Sequence, residues 1–357
     1  MKIKKTTVNL VHLNSSPGGI EVLLPGIIKA FNNVDFSVFV IRSKPDTLPS
    51  VYGGLEDRVT YGSRNNFIAI VRLIRYVIRR RDEIFHLFNT GPLFLLFLRM
   101  AGARRLIYSI HGTVYWHNRF EKTSRLILWR MAINRGKLIF TANSEYSREM
   151  FRKQISAGIQ CEVLYNYVDQ SRFTAIARIN LNDPVKRIIY AGRLAPGKGL
   201  ERWINVALKI HTVMPEMLFL IYGEGQLGPM LRNTIESARA TNFIKMIGYS
   251  PEMERVYREA DLLLFLSEYE SFGNVVVESI LSGTPVLVSD IPGLKEILSD
   301  FPEFILTPRS DTAAEILQKL GNIRFLRERT AVARDIFRER FSARRHFGAL
   351  AGIYESV

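Results

Sequence analysis

Arg187-Ile-Ile-Tyr-Ala-Gly192-Arg193-Leu-Ala-Pro196-Gly197-Lys198-Gly199 is a short β-branched run that ends in three glycines and two cations, and an amphipathic stretch follows it. A strand, a tight loop and a helix in that order form the repeating unit of α/β folds. The loop chemistry suits an anion. Glycines allow close backbone approach, a helix start offers N–H groups, and Arg193 and Lys198 can bond phosphate oxygens. The spelling also meets the first seven positions of a P-loop, but Gly199 stands where Ser or Thr would hold magnesium. A P-loop-like nucleotide phosphotransferase is therefore disfavoured, and a strand-turn-helix without any ligand stays open.

The same alternation runs through the chain on either side of this loop. Strands are expected near 6–13, 36–41, 84–87, 106–110, 137–141 and 162–164, then near 187–191, 217–222, 243–246, 262–266 and 286–289, with helices between them. A polar stretch ending at Pro184 separates two such series. The 357 residues exceed what one domain usually holds. We therefore expect two doubly wound, Rossmann-like domains, 1–178 and 184–339, with ligands at carboxyl strand ends and in the cleft between the domains.

Three further segments carry candidate chemistry. In Ser267-Glu-Tyr-Glu270-Ser-Phe272-Gly273-Asn274-Val275-Val-Val-Glu278, a helix starting near Gly273 would set Glu278 one turn from its start, with Glu270 in the loop ahead. Carboxylates accept from paired hydroxyls, as the ribose-binding acid of dinucleotide folds does, so two acids around a phosphate-seeking helix start suit a nucleoside diphosphate sugar. Surface acids on a solvated helix are the plainer alternative. After the first strand, Gly18-Gly19 is either a turn or a site of phosphate or acceptor contact. His111, with Tyr115 and Trp116 close behind, could bond and stack against a sugar, or be a satisfied core histidine.

The net charge is +15, and it is unevenly placed: 26 Lys and Arg against 12 Asp and Glu in residues 1–175, and 23 against 22 in the remainder. Such a half attracts nucleic acid, an anionic membrane or a phosphorylated substrate. No helix-turn-helix, RNP or zinc signature supports nucleic acid. The lone Cys161 excludes an internal disulfide, and the absence of a signal peptide or clean apolar span points to the cytoplasm.

Taken in order, Gly18-Gly19-Ile20-Glu21, His111-Gly112, Gly192-Arg193-Leu194 with Lys198-Gly199, Gly223-Glu224-Gly225, Glu270 with Phe272-Gly273 and Glu278, Gly283-Thr284-Pro285 and Pro292-Gly293-Leu294 resemble the retaining glycosyltransferases of family 4 over nearly the whole chain. The resemblance implies a GT-B fold, an N-terminal acceptor domain, a C-terminal nucleotide-sugar domain, and a last helix, about 340–357, that returns to the first domain. It implies that Arg193 and Lys198 bind the donor diphosphate, Glu278 the ribose, and Glu270 the transferred sugar. Backbone groups from Phe272, Gly273, Asn274 and Val275 would help hold phosphate and sugar, His111 would touch the donor sugar, and Gly18 and Gly19 would admit the phosphates. Two departures stand out: Tyr167 occupies a glycine position of the family's Asn-Gly-Val-Asp, and Ser279 a position commonly alanine.

The chain contains no Asp-x-Asp, so no metal or other cofactor is expected and fixed cations would stabilise the leaving group. A sugar-nucleotide epimerase of the same fold is the alternative enzyme. The expected partners are the donor, a glycan or lipid-linked acceptor and an anionic membrane surface, with no nucleic acid. For the membrane, Arg72, Arg75 and Arg79 share one stripe of a helix over 67–81, and Ile70, Ile74, Val77 and Ile78 another. A core-packed helix with a solvated basic face would read similarly.

Overall fold

The computed structural model describes residues 6–14, 19–42, 54–112, 119–133, 137–174, 181–308 and 312–357. These form two compact units, one of residues up to Asn166 together with His346–Val357, the other Tyr167–Arg345. The division falls at 166/167, earlier than the expected 178–184, because the segment from Val168 to Phe173 already packs in unit 2. Val168 N donates to Phe341 O at 3.2 Å, and the Phe173 ring lies 6.0 Å from that of Tyr257. The return to unit 1 comes at His346, later than about 340.

Unit 1 runs β1 (Thr6–Asn14), α1 (Gly19–Ala30), β2 (Val34–Arg42), β3 (Val59–Tyr61), α2 (Asn66–Ile78), β4 (Ile84–Phe88), α3 (Pro92–Met100), β5 (Arg105–Ile110), α4 (Arg119–Ile133), β6 (Leu138–Ala142), α5 (Glu145–Gln154) and β7 (Cys161–Val163). Its parallel strands are ordered β3-β2-β1-β4-β5-β6-β7. The chain direction reverses between β1 and β4. Right-handed crossovers then put α2 to α5 on one face of the sheet and α1 on the other. β4 alternates accordingly: Phe85 and Leu87 join the core under α2 to α5, while His86 faces the opposite side, where Tyr354 meets it.

Unit 2 runs β8 (Arg187–Ala191), α6 (Leu200–Val213), β9 (Leu218–Tyr222), α7 (Gly228–Ser237), β10 (Ile244–Gly248), α8 (Met253–Glu259), β11 (Leu262–Phe265), α9 (Asn274–Leu281), β12 (Val286–Ser289), α10 (Pro292–Ile297), β13 (Ile305–Leu306), α11 (Thr312–Leu320) and α12 (Ile323–Arg340). The parallel order is β10-β9-β8-β11-β12-β13, reversing between β8 and β11. Strands covered on both faces need no polar alternation, and all four residues of β11 are buried. Trp203 of α6, with no exposed surface, donates from Nε1 to Leu264 O at 3.0 Å and so pins its helix to the sheet. The last helix, α13 (Ala343–Ser356), supplies Tyr354 and Leu350 to unit 1. Both units are Rossmann-like, the arrangement expected of GT-B.

Every strand named from sequence is present within two residues, and β3 and β13 are additional. The apolar stripe read on α2 is only partly a surface. The buried face is Ala69, Leu73, Tyr76 and Val77, so Val77 belongs to the core; Ile70 and Ile74 are half-buried and Ile78 is exposed.

Candidate functional site

In unit 2 the site starts at the switch point, where the loops after β8 and β11 leave neighbouring strands in the same direction. The two loops are laced together. Glu268 N donates to Gly197 O at 2.9 Å, and Ser267 Oγ lies 3.1 Å from the same oxygen and 2.8 Å from Tyr269 O. Gly199 shows why this approach demands glycine. A Cβ there would stand 1.9 Å from Leu266 O, and its φ of +64° is left-handed. The third loop joins through Leu194 N, which donates to Glu224 O at 2.9 Å.

This lacing brings the predicted residues together. Arg193 is exposed at the loop rim, its carbonyl accepting from Tyr190 Oη at 3.0 Å. Lys198 and Glu270, named separately from sequence, form an ion pair with side chains 25% and 14% exposed. Each holds the other's orientation at the mouth of the loops. Gly273, at φ +88°, caps α9, and Gly199 caps α6; no side chain caps either helix start, so both present backbone N–H groups to whatever sits above them. Phe272 turns inward, buried edge-on against Phe341 at 5.3 Å, so only its backbone can serve a ligand; Asn274 and Val275 form the first turn of α9.

Glu278 lies one turn into α9, as its spacing predicted. Tyr257 Oη donates to its Oε2 at 2.9 Å. Burial raises the Glu278 carboxyl above the ordinary carboxylate range, and the Tyr257 hydrogen bond and Arg172 oppose that rise. Tyr257 is a supporting residue that sequence reading missed. It is 21 positions from Glu278 and looks like any core aromatic of an amphipathic helix. Ser267 was missed in the same way.

In unit 1, His111 follows β5 in a small cavity that also includes His86, Ser109, Thr141, Asn143 and His346. Burial and the nearby His346 lower His111 to about 3, and burial lowers His346 to about 4, so both imidazoles are neutral at physiological pH. His86, fully buried, bonds Tyr354 Oη at 3.0 Å and Ser109 Oγ at 2.6 Å, and Ser109 continues to Thr141 at 2.5 Å. Neither His86 nor His346 was singled out from sequence, since a histidine inside an apolar strand or helix reads as core. Gly19 opens α1 after β1. Gly18, Tyr115 and Trp116 lie outside the described residues.

Two Rossmann-like units, with glycine-rich loops at a switch point, a cation–carboxylate pair and a second acid, suit an anionic, hydroxyl-bearing ligand. The chain matches the family described as Glycosyltransferase Family 4 over residues 17–172 and that described as Glycosyl transferases group 1 over residues 171–333. It belongs to the GT-B glycosyltransferases of the family-4 type. An uncharacterized 41.2 kDa protein in the cps region of Klebsiella pneumoniae is 24% identical over 98% of this chain and 100% of that one. The N-acetylgalactosamine-N,N'-diacetylbacillosaminyl-diphospho-undecaprenol 4-alpha-N-acetylgalactosaminyltransferase of Campylobacter jejuni is 25% identical over 67% of this chain and 66% of that one. Matches at 31% and 33% identity are shorter, and this chain spans only 25% and 21% of those longer relatives. Among solved structures, Anabaena Alr3699/HepE in complex with UDP-glucose superposes with a TM-score of 0.81 at 19% identity, covering 98% of this chain and 100% of that one.

Proposed function

We propose that this glycosyltransferase moves a hexose-type sugar, with retention, from a nucleoside diphosphate sugar to a hydroxyl of a glycan or lipid-linked acceptor in bacterial surface polysaccharide synthesis. It works in the cytoplasm, at the inner face of the membrane. The observation that carries this reading is the convergence of Arg193, the Lys198–Glu270 pair and two glycine-capped helix starts at one switch point. That arrangement complements a diphosphate flanked by hydroxyl-bearing rings. The Anabaena neighbour's complex with UDP-glucose supports a nucleotide-sugar donor, and the Campylobacter relative's diphospho-undecaprenol name supports a lipid-linked acceptor.

The bond between the anomeric carbon and the diphosphate oxygen breaks as the acceptor oxygen bonds to that carbon from the leaving-group side. The acceptor proton passes to a phosphate oxygen. Arg193, Lys198 and the two helix starts stabilise the charge that develops on the departing diphosphate, with no metal ion assigned a part. Glu270 holds hydroxyls of the transferred sugar and Glu278 those of the ribose. His111, kept neutral by its surroundings, donates or accepts a hydrogen bond at the sugar without adding charge.

A thermal-shift series with UDP, GDP, ADP and their sugar conjugates in EDTA tests the reading. One nucleotide is expected to raise the melting temperature, and its sugar conjugate to donate to an acceptor with the anomeric configuration kept. A shift that needs magnesium or manganese overturns the fixed-cation mechanism, and an inverted product overturns retention.

A further inference from the structure

We propose that the outer layer of α2, α3 and α4 is a lipid-docking face that seats this chain on an anionic membrane through a mixed apolar and cationic surface. The inference deepens the peripheral attachment proposed above by naming the surface, and it rests on that reading for its biological purpose. Among the described residues of unit 1, every large apolar side chain left exposed lies on one of these three helices. Phe67 and Ile78 on α2 are 75% and 55% exposed, Leu93 and Met100 on α3 40% and 64%, Ile127 and Met131 on α4 52% and 43%. The three helices are neighbours in one layer, α2 against α3 and α3 against α4. The exposed groups therefore share one side of the unit instead of being scattered singly.

Charge selects the occupant. Residues 66–137 contain fourteen Lys and Arg against three Asp and Glu. Arg75 on α2, Arg79 at its C-terminal cap and Arg130 on α4 are exposed and have no acidic partner among the described residues. Part of the basic rim is neutralised, since Arg81 and Arg104 share Asp82 and Arg80 pairs with Glu83. The unpaired arginines lie beside the apolar side chains on the same helices. Anionic headgroups meet the first and the acyl boundary the second, whereas a second copy of this chain would bring like charge against like. No helix among the described residues is long and apolar enough to cross a membrane, so the contact is one of lying on the surface.

The sequence pattern pointed to α2 alone, but half of its apolar stripe packs inward. The structure moves the face outward and widens it to the neighbouring helices.

The test is flotation of the full chain with vesicles of phosphatidylcholine, with and without phosphatidylglycerol, alongside nucleotide binding by thermal shift. Wild type is expected to float with the mixed vesicles, to remain behind with phosphatidylcholine alone, and to release as salt rises. Arg75→Ala, Arg79→Ala and Arg130→Ala together should weaken partitioning by about a hundred-fold at low salt, from about five-fold per arginine. Phe67→Ser with Met100→Ser should weaken it with the charge intact. Both variants should bind nucleotide as wild type does. Failure of wild type to float, or equal flotation on both vesicles, overturns the docking face. So does a wild-type dimer that dissociates on Phe67→Ser with Met100→Ser, which would assign the apolar side chains to a second copy. Vesicle binding without any nucleotide shift leaves the face standing and overturns the enzymatic reading instead.

Discussion

Gly293→Ala is expected to cripple sugar transfer and to weaken nucleotide binding far less. A Cβ at Gly293 would stand 2.1 Å from the carbonyl oxygen of Glu270 and 3.0 Å from its carbonyl carbon. Real side chains keep such atoms no closer than 3.0 Å, and the obstructing atoms are backbone, so no rotamer can relieve the contact. Leu294, the next residue of α10, is fully buried, so the helix cannot retreat easily. The Glu270–Ser271 backbone must therefore move by about 1 Å, and a displacement of that size in a positioning group costs on the order of 100-fold in rate. That corresponds to about 2.7 kcal/mol of transition-state stabilisation. Overpacking should also lower stability by about 1–3 kcal/mol. The assay pairs steady-state kcat/KM for the donor sugar with calorimetric Kd for the nucleoside diphosphate alone. Lys198 shares the displacement of its partner Glu270, whereas Arg193 and Glu278 stand on other segments, so Kd should rise by less than kcat/KM falls. A variant that melts cooperatively with kcat/KM unchanged would refute the claim that Gly293 sets the position of Glu270. Equal losses in kcat/KM and Kd would refute the separation of sugar and nucleotide contacts.

Replacing Lys198 by Met removes a fixed cation from the leaving group and should cost about 10²–10³ in kcat, comparable with the loss of a preorganised oxyanion donor; Lys198→Arg should recover part of it. Tyr257→Phe deletes the hydroxyl that donates to Glu278, and a hydrogen bond to a charged group is worth about 1.5–3 kcal/mol, so calorimetry should show nucleotide binding weakened by about ten-fold or more. Acidification should destabilise unit 1: in the unfolded chain histidine binds a proton below about pH 6.5, whereas His346 and His111 fold with values of about 4 and about 3. The unfolded state is then favoured progressively as pH falls from about 6.5, with the full penalty reached only near the folded values. Melting temperature measured from pH 7 to pH 4.5 should fall, and His346→Asn should flatten the slope.

The sheets and most of the candidate site's loops were legible in the primary structure. Buried parallel strands must be continuously apolar, and loops that wrap a phosphate must be glycine-rich, so Arg187–Gly199 and Leu262–Glu278 announced themselves through composition and spacing. The position of Glu278 one turn into a helix also followed from counting residues. Short edge strands were not legible. β13 is two residues long and β3 three, and both exist only because a neighbouring edge offers hydrogen bonds. The boundary at Asn166 was missed because a linker is recognised by polarity, whereas Val168 and Phe173 are apolar and had already found partners in the second unit.

What the sequence by itself determined was the class: two Rossmann-like domains, a pair of acids and two cations suited to a sugar nucleotide. These features depend on local order along the chain, which periodicity and turn chemistry record directly. Only the tertiary structure decided that Lys198 and Glu270 face one another, that Tyr257 holds Glu278, that Gly293 lies under the Glu270 loop, and that three helices share one exposed apolar and basic layer. Each of those joins groups separated by 20 to 70 or so positions. Their proximity is set by the order of strands in the sheet and the hand of the crossovers, which no local pattern of residues encodes.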